Sequence, residues 1–174
     1  WSHESVPLEK ILNVITRSVY GFVYLGIFPA LAFKLLDLPN GVSWFTALLT
    51  IVLLGDVFAY LVGMKWGHRK IIPRISPKKS LEGVMGGIFG SLVGGVIFYY
   101  ILPDQKLSHL LLLSSIIGGI AQYGDFFESL MKRVADTKDS GSIMPGHGGV
   151  LDRIDGVLFA APIVFVFVQF ISLN

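Results

Sequence analysis

The sequence contains no cysteine and few charged residues for its length. The absence of cysteine from the 174 residues excludes disulfides and thiolate-bound zinc. Only 15% of the residues are charged and 53% are hydrophobic, whereas a soluble domain is about 25% charged. This shortage of charge indicates an integral membrane protein. The formal net charge of +2 says nothing by itself, and no nucleic-acid partner is expected.

Five apolar stretches are long enough to cross a bilayer, which takes about 20 residues each. They cover roughly residues 18–36, 43–63, 83–102, 107–124 and 150–172. The sequence therefore predicts an all-α integral membrane protein with about five transmembrane helices, in a single polytopic domain over residues 1–174. The shorter apolar stretch Leu8–Thr16 either lies at the interface or extends the first helix.

Positive charge is concentrated in two of the connections. Segment 64–80 carries six basic residues and segment 125–149 carries three, whereas segments 37–42 and 103–106 hold almost none. Because cytoplasmic loops are enriched in Lys and Arg, both charged loops are predicted to face the cytoplasm. In this interpretation Lys65, Arg69 and Lys70 serve as membrane anchors.

Glycine recurs at four-residue steps in the third span. The two series are Gly83, Gly87, Ser91 and Gly95, and Gly86, Gly90 and Gly94. Small residues at this spacing let helix backbones approach closely in lipid. We interpret these glycines as packing residues without a chemical role, and Gly118 and Gly119 in the fourth span likewise.

Residues 129–155 combine both signs of charge with a glycine-rich turn, in the sequence SLMKRVADTKDSGSIMPGHGGVLDRID. Charge of this density is costly at the edge of a bilayer. Cations, carboxylates and bare glycine backbone together suit phosphate groups held by a divalent metal. The alternative is that the acids and bases pair with one another as interfacial salt bridges.

Four carboxylates are predicted to converge where the fourth and fifth spans meet. Asp125 and Glu128 lie at the end of one span, and Asp152 and Asp155 at the start of the next. A spacing of three places each pair on one helix face. Unpaired carboxylates that close would repel one another, and a divalent cation removes that penalty. These four residues are therefore predicted to bind Mg²⁺, which prefers oxygen ligands, and a second cation is left open.

Glycine backbone near His147 could bind an anion. His147 is followed by Gly148 and Gly149, so backbone N–H groups can approach an anion closely. We expect all three to contact substrate. A hydrogen-bonded structural histidine is the alternative.

Two further sets of residues are candidates by position. Lys78 and Lys79 precede the third span, whose predicted N-cap is Ser80, and a helix N-terminus favours anions. Asp56 lies inside the second span, and an acid within the membrane is a functional candidate. The alternative role for Asp56 is that of a buried structural acid, hydrogen-bonded to a neighbour.

Distinctive blocks of residues extend across the chain. The region 122–155 contains Gln122, Gly124, Asp125, Glu128, Ser129, Lys132-Arg133, Lys138-Asp139, Pro145-Gly146-His147-Gly148-Gly149 and Asp152-Arg153-Ile154-Asp155. Two upstream blocks are Asp56-x-x-Ala59-Tyr60-x-x-Gly63 and Ser76-Pro77-Lys78-Lys79-Ser80-x-Glu82-Gly83. In identity and spacing these blocks resemble those of the phosphatidate cytidylyltransferases, also called CDP-diacylglycerol synthases.

The resemblance implies an enzyme that converts CTP and phosphatidate into CDP-diacylglycerol and pyrophosphate. It implies catalytic roles for Asp125, Asp152, Lys138 and Arg153. It implies substrate contacts for Lys78, Lys79, Ser80, Lys132, Arg133, His147, Gly148 and Gly149. It further suggests a homodimer in a bacterial inner membrane. Family members usually have more N-terminal spans, and this chain begins with Trp1, so we expect the C-terminal portion of a longer protein or a processed form.

Three other functions are weighed against this one. A secondary transporter would place its acids near the bilayer midplane in broken helices. A CDP-alcohol phosphotransferase would show an Asp-Gly-x-x-Ala-Arg block, which the sequence lacks. A non-catalytic membrane subunit would need no dense cluster of charge.

Overall fold

The structure, a computed structural model, describes residues 7–102, 105–137, 139–141 and 149–172, and most of these residues are helical. These residues contain no strand, and one isolated antiparallel bridge joins Lys70 to Ser80. The prediction of an all-α protein is confirmed.

The first helical path is continuous but irregular. It consists of α1 (Leu8–Phe22), a π-helical turn (Val23–Ile27), α2 (Phe28–Lys34) and a 3₁₀ turn (Leu35–Asp37). Leu8–Thr16 therefore extends the first helix. Four longer helices follow: α3 (Gly41–Trp66), α4 (Leu81–Ile101), α5 (Leu107–Val134) and α6 (Leu151–Ser172).

Four of the helical segments are long and apolar enough to cross a membrane. They are Leu8–Asp37, Gly41–Trp66, Leu81–Ile101 and Leu107–Val134. They correspond to the first four predicted spans, and the chain is an all-α membrane protein. The fifth predicted span corresponds to α6, which has Pro162 in its interior. That α6 crosses the membrane stays a prediction.

Helix α5 is longer than the sequence analysis predicts. It continues to Val134, so Asp125, Glu128, Lys132 and Arg133 lie on a helix rather than in the predicted loop. The prediction of a loop from residue 125 is wrong because charge marks where a helix leaves hydrocarbon, not where its hydrogen bonds end. Residues 125–134 contain neither Gly nor Pro to interrupt the helix.

The longer helices pack in chain order, α3 on α4, α4 on α5 and α5 on α6, and α2 also contacts α6. Their shared core includes Leu35, Leu48, Ile51, Ile117 and Val164, all almost completely buried. This arrangement brings the ends of α3, α4, α5 and α6 together, where the charged residues lie.

The glycine series of α4 packs against α3, as predicted. A Cβ added at Gly86 would lie 2.6 Å from the Cβ of Val62, and one at Gly90 would lie 2.5 Å from the carbonyl oxygen of Leu54. Gly118 is similarly close to Ser91 across the α4–α5 contact. The interpretation as a packing residue is wrong for Gly119, because a Cβ there would have no atom of the described residues within 4 Å.

Gly90→Ala should lower the thermal denaturation midpoint of the detergent-solubilised protein, measured by scanning fluorimetry. The new methyl group would press on the backbone of α3, and overpacking typically costs about 1–3 kcal/mol. Gly119→Ala is the matched control in α5 and should leave the midpoint unchanged or raise it, because alanine favours helix over glycine. Equal shifts in the two variants would contradict this account of the packing.

Candidate functional site

A cleft of about 610 Å³ lies among α3, α4 and α5, and we call it the first cleft. Helix α3 contributes Asp56 and Tyr60, and α5 contributes Gln122 and Asp125. The connection before α4 contributes Lys70, Lys78, Lys79 and Ser80. Three sequence blocks that are far apart in the chain therefore meet on one cavity.

An ion pair between Lys79 and Asp125 links the two sides of the first cleft. The Lys79 side chain is 18% exposed and that of Asp125 is 38% exposed. The Lys79 ammonium also lies 4.2 Å from the ring centroid of Phe126. Asp56 interacts electrostatically with both Lys79 and Asp125. Lys79 thus interacts with two acids of the cleft.

The connection between α3 and α4 is folded back on the start of α4. The Glu82 carboxylate accepts hydrogen bonds from the backbone N–H groups of His68 (3.1 Å) and Arg69 (3.2 Å). Lys70 donates to the carbonyl oxygen of Lys78 at 3.3 Å. Ser80 caps α4 as predicted, since its hydroxyl oxygen accepts the N–H of Gly83 at 3.2 Å. These bonds fix the position of Lys78 and Lys79.

A second group of charges surrounds Lys132. Its ammonium lies 2.5 Å from a Glu128 oxygen and 2.6 Å from Asp152 Oδ1. The other oxygen of Asp152 accepts three hydrogen bonds: from the N–H of Gly149 (2.7 Å), the N–H of Ser140 (2.9 Å) and the Ser140 hydroxyl (2.8 Å). Asp152 therefore connects Ser140 and Gly149 with the start of α6.

The acids divide between these two groups. Asp125 faces the first cleft, whereas Glu128, although on the same helix, faces Lys132. Asp155 is buried and accepts the N–H of Gly156 at 2.8 Å. It interacts electrostatically with Asp125, Lys79 and Lys132. Asp155 therefore lies within range of both groups.

The described ranges contain no group of three or more His, Asp or Glu side chains arranged to hold one metal ion. In this structure lysines stand beside Asp125, Glu128 and Asp152. The salt-bridge interpretation thus describes the contacts of these three acids. Their assignment as ligands stays a prediction.

A cavity of about 260 Å³ lies on the opposite side of α5, and we call it the second cleft. Its lining includes Arg17, Tyr24, Phe127, Glu128, Lys132 and Ser140. Among the described residues, the two charged connections thus open onto different cavities. Arg133, near the end of α5, links this helix to the connection between α3 and α4, because its Nε donates to the carbonyl oxygen of Ile75 at 3.3 Å.

The remaining predicted site residues are placed only in part. Arg153 is exposed near the start of α6, between Asp152 and Asp155 in the sequence. Lys138, His147 and Gly148 lie outside the described residues, so their roles stay predictions.

The sequence analysis missed several residues of the site. Lys70 was interpreted as an anchor but lines the first cleft, and Ser140, which binds Asp152, was given no role. Tyr24 lies within an uninterrupted apolar run, so no charge or motif marks it. Lys70 could have been found from its position in the same short connection as Lys78.

Comparison with known proteins gives concordant matches. The model of the cytidylyltransferase family matches residues 5–171. The phosphatidate cytidylyltransferase of Bacillus subtilis is 36% identical over 170 residues, 93% of this chain and 63% of that protein. The enzyme of the same name from Thermotoga maritima is 42% identical over 117 residues, 64% of this chain and 43% of that protein.

A third relative carries no functional name. The Escherichia coli protein YnbB is 36% identical over 164 residues, 91% of this chain and 55% of that protein. The chain thus spans between 43% and 63% of the length of these three relatives. Apart from Ser172, the last residue of α6, its helices and all the blocks that form the two clefts fall within residues 5–171, the range of the family match. The chain belongs to the cytidylyltransferase family.

Proposed function

We propose that this chain, as part of a longer protein, transfers the cytidylyl group of CTP to phosphatidate. The products are CDP-diacylglycerol and pyrophosphate. One observation carries the proposal: three separate sequence blocks bring Lys70, Lys78 and Lys79 together with Asp56 and Asp125 on one cleft of a membrane protein. The phosphatidate cytidylyltransferase names of two relatives support the same choice of substrates.

The reaction requires a reduction of the repulsion between the phosphate groups of its two substrates rather than a general base. An oxygen of the phosphatidate phosphate forms a bond to the α-phosphorus of CTP. The bond from that phosphorus to the oxygen between the α- and β-phosphorus atoms breaks, and this oxygen leaves with pyrophosphate. A phosphate monoester is mostly dianionic at neutral pH, so no residue must remove its proton. What opposes the reaction is repulsion between two polyanions.

The lysines of the first cleft are suited to reduce this repulsion. Lys78 and Lys79 flank the N-terminus of α4, where backbone N–H groups also favour anions. Lys79 is held in place by Asp125, and Lys70 lines the same cavity. A preorganised cation near a transferring phosphoryl group is worth more than one in open water.

Mg²⁺ is part of the proposal, with Asp125, Asp152, Asp155 and Glu128 as its candidate ligands; in the described part of the chain these acids are divided between two groups, so they would have to come together to share one ion. Their oxygen chemistry fits the ion. Asp125 is partly exposed to the first cleft, and Glu128 has one oxygen without a hydrogen-bond partner in the described part of the chain. A bound ion would neutralise phosphate charge and stabilise the leaving pyrophosphate.

Pyrophosphate should be released only when CTP and phosphatidate are both supplied to the purified protein in lipid. Lys79→Gln should lower kcat/KM at least about tenfold, or roughly 1.4 kcal/mol, because it removes a cation from the first cleft. Arg74→Gln is the control, an exposed basic residue in the same connection. Release without phosphatidate, or none with both substrates, would refute the proposed reaction.

Arg153→Lys should also reduce kcat/KM at least about tenfold. We assign Arg153 to phosphate binding, and lysine keeps the charge but cannot form two parallel bonds to a phosphate. Arg74→Lys, the same change at a position outside both clefts, should have no effect. Equal small effects in the two variants would mean that Arg153 serves only as a charge at the membrane surface.

We further propose that both charged connections face the cytoplasm of a bacterial inner membrane. Because the chain has no cysteine, single-cysteine variants report position without background. Arg74→Cys and Thr137→Cys should resist an impermeant thiol reagent in intact cells, whereas Lys106→Cys should react. All three residues are exposed in the structure. The reverse labelling pattern would overturn this orientation.

A further inference from the structure

The second cleft contains buried polar atoms that have no hydrogen-bond partner. Within the described residues, neither the Tyr24 hydroxyl nor Glu128 Oε1 has one. Tyr24 is 8% exposed and Glu128 is 2% exposed, and both line this cavity. An unsatisfied buried polar group costs about 1–3 kcal/mol. The Tyr24 hydroxyl is a donor and calls for an acceptor in the cavity, whereas Glu128 Oε1 is itself an acceptor and does not select a phosphate.

The position of Tyr24 is fixed by its neighbours. Its ring contacts those of Phe28, Phe127 and Phe159, with centroid distances of 6.4, 5.6 and 5.3 Å. It lies in the π-helical turn Val23–Ile27, and such turns are frequent at functional sites. Packing on these three rings restricts the movement of the Tyr24 side chain.

The lining of the second cleft is amphipathic. Arg17 and Lys132 contribute positive charge, whereas Leu25, Phe127 and Met131 contribute apolar surface. The cavity, at about 260 Å³, is much smaller than the first cleft at about 610 Å³. The span Leu8–Asp37 has 30 residues, more than the about 20 that cross hydrocarbon, so Arg17 can lie at the level of the lipid head groups.

We propose that the second cleft binds the phosphorylated glycerol end of the lipid substrate, and that the Tyr24 hydroxyl donates a hydrogen bond to it. The first cleft then receives the nucleotide. Phosphate and ester oxygens are acceptors, which matches the hydroxyl of Tyr24 and the guanidinium of Arg17. This inference rests on the proposed function, because it assigns one of that reaction's two substrates to a particular cavity.

Tyr24→Phe tests the assignment with minimal change of shape. Removing an unpartnered hydroxyl should leave the thermal midpoint of the ligand-free protein unchanged or raise it. The KM for phosphatidate should rise at least about threefold, the loss expected for one hydrogen bond. The KM for CTP should stay within about twofold of wild type. Tyr100→Phe is the matched control at an exposed site on α4 and should change neither KM.

A binding measurement separates this inference from the proposed reaction. Without CTP, phosphatidate should raise the thermal midpoint of the wild-type protein in detergent, and Tyr24→Phe and Arg17→Gln should both reduce that rise. Glycerol 3-phosphate and inorganic phosphate, which lack acyl chains, should have much smaller effects at equal concentration. The measurement with phosphatidate reports binding in the second cleft even if no pyrophosphate is released.

Three outcomes would overturn the assignment. If phosphatidate raised the thermal midpoint of Tyr24→Phe as much as that of the wild type, the cavity would hold water or another part of the protein instead of the lipid. An increase in the KM for CTP alone would place the nucleotide there instead. An equal shift from glycerol 3-phosphate would mean that the cavity recognises a free phosphate compound and not a lipid.

Discussion

The close approach of α3 and α4 is the constraint on which the first cleft depends. A Cβ at Gly83 would lie 3.1 Å from the carbonyl oxygen of Ala59, and one at Gly87 would lie 2.8 Å from Nε2 of Gln122. A side chain at Gly83 would press on the backbone of α3, and one at Gly87 would displace the Gln122 side chain of α5. Since Lys79 lies two residues before the start of α4, a shift of α4 would also change its contact with Asp125 on α5. The glycines thus have no chemistry of their own but set the distances at which the chemistry occurs.

Lysines placed between elements balance the acids that this packing brings together. Lys79 reaches Asp125 on α5 from the connection before α4, and Lys132 reaches from α5 to Asp152 on α6. Removing one partner of a largely buried pair is typically strongly destabilising because the other charge is left uncompensated. The same lysines are the cations that the proposed reaction needs. A loss of activity in a variant at one of these positions must therefore be interpreted together with a measurement of how stably that variant folds.

Much of the fold and part of the site could be predicted from the sequence. Apolar runs predicted the first four spans, and small-residue spacing predicted that the glycines of α4 pack against neighbouring helices, since both follow from the demands of a bilayer. The grouping of Asp125 with Glu128 was less successful. Residues three apart differ by about 60° around a helix axis, enough to face different neighbours. Tyr24 needed coordinates, because its position does not differ locally from an ordinary apolar span.

Helix α5 is the shared wall of the two cavities, and this placement bears on how two substrates could meet. Gln122 and Asp125 face the first cleft, while Glu128 and Lys132 face the second. A nucleotide and a lipid phosphate held in separate cavities do not repel each other until their reacting groups are brought together. We propose the junction of α5 and α6 as the place for that contact, because buried Asp155 there lies within electrostatic range of Lys79 of one group and Lys132 of the other. Under the proposed function, a lipid bound beside Lys132 and a nucleotide bound beside Lys79 would approach each other there, with a cation on each side to offset their charge.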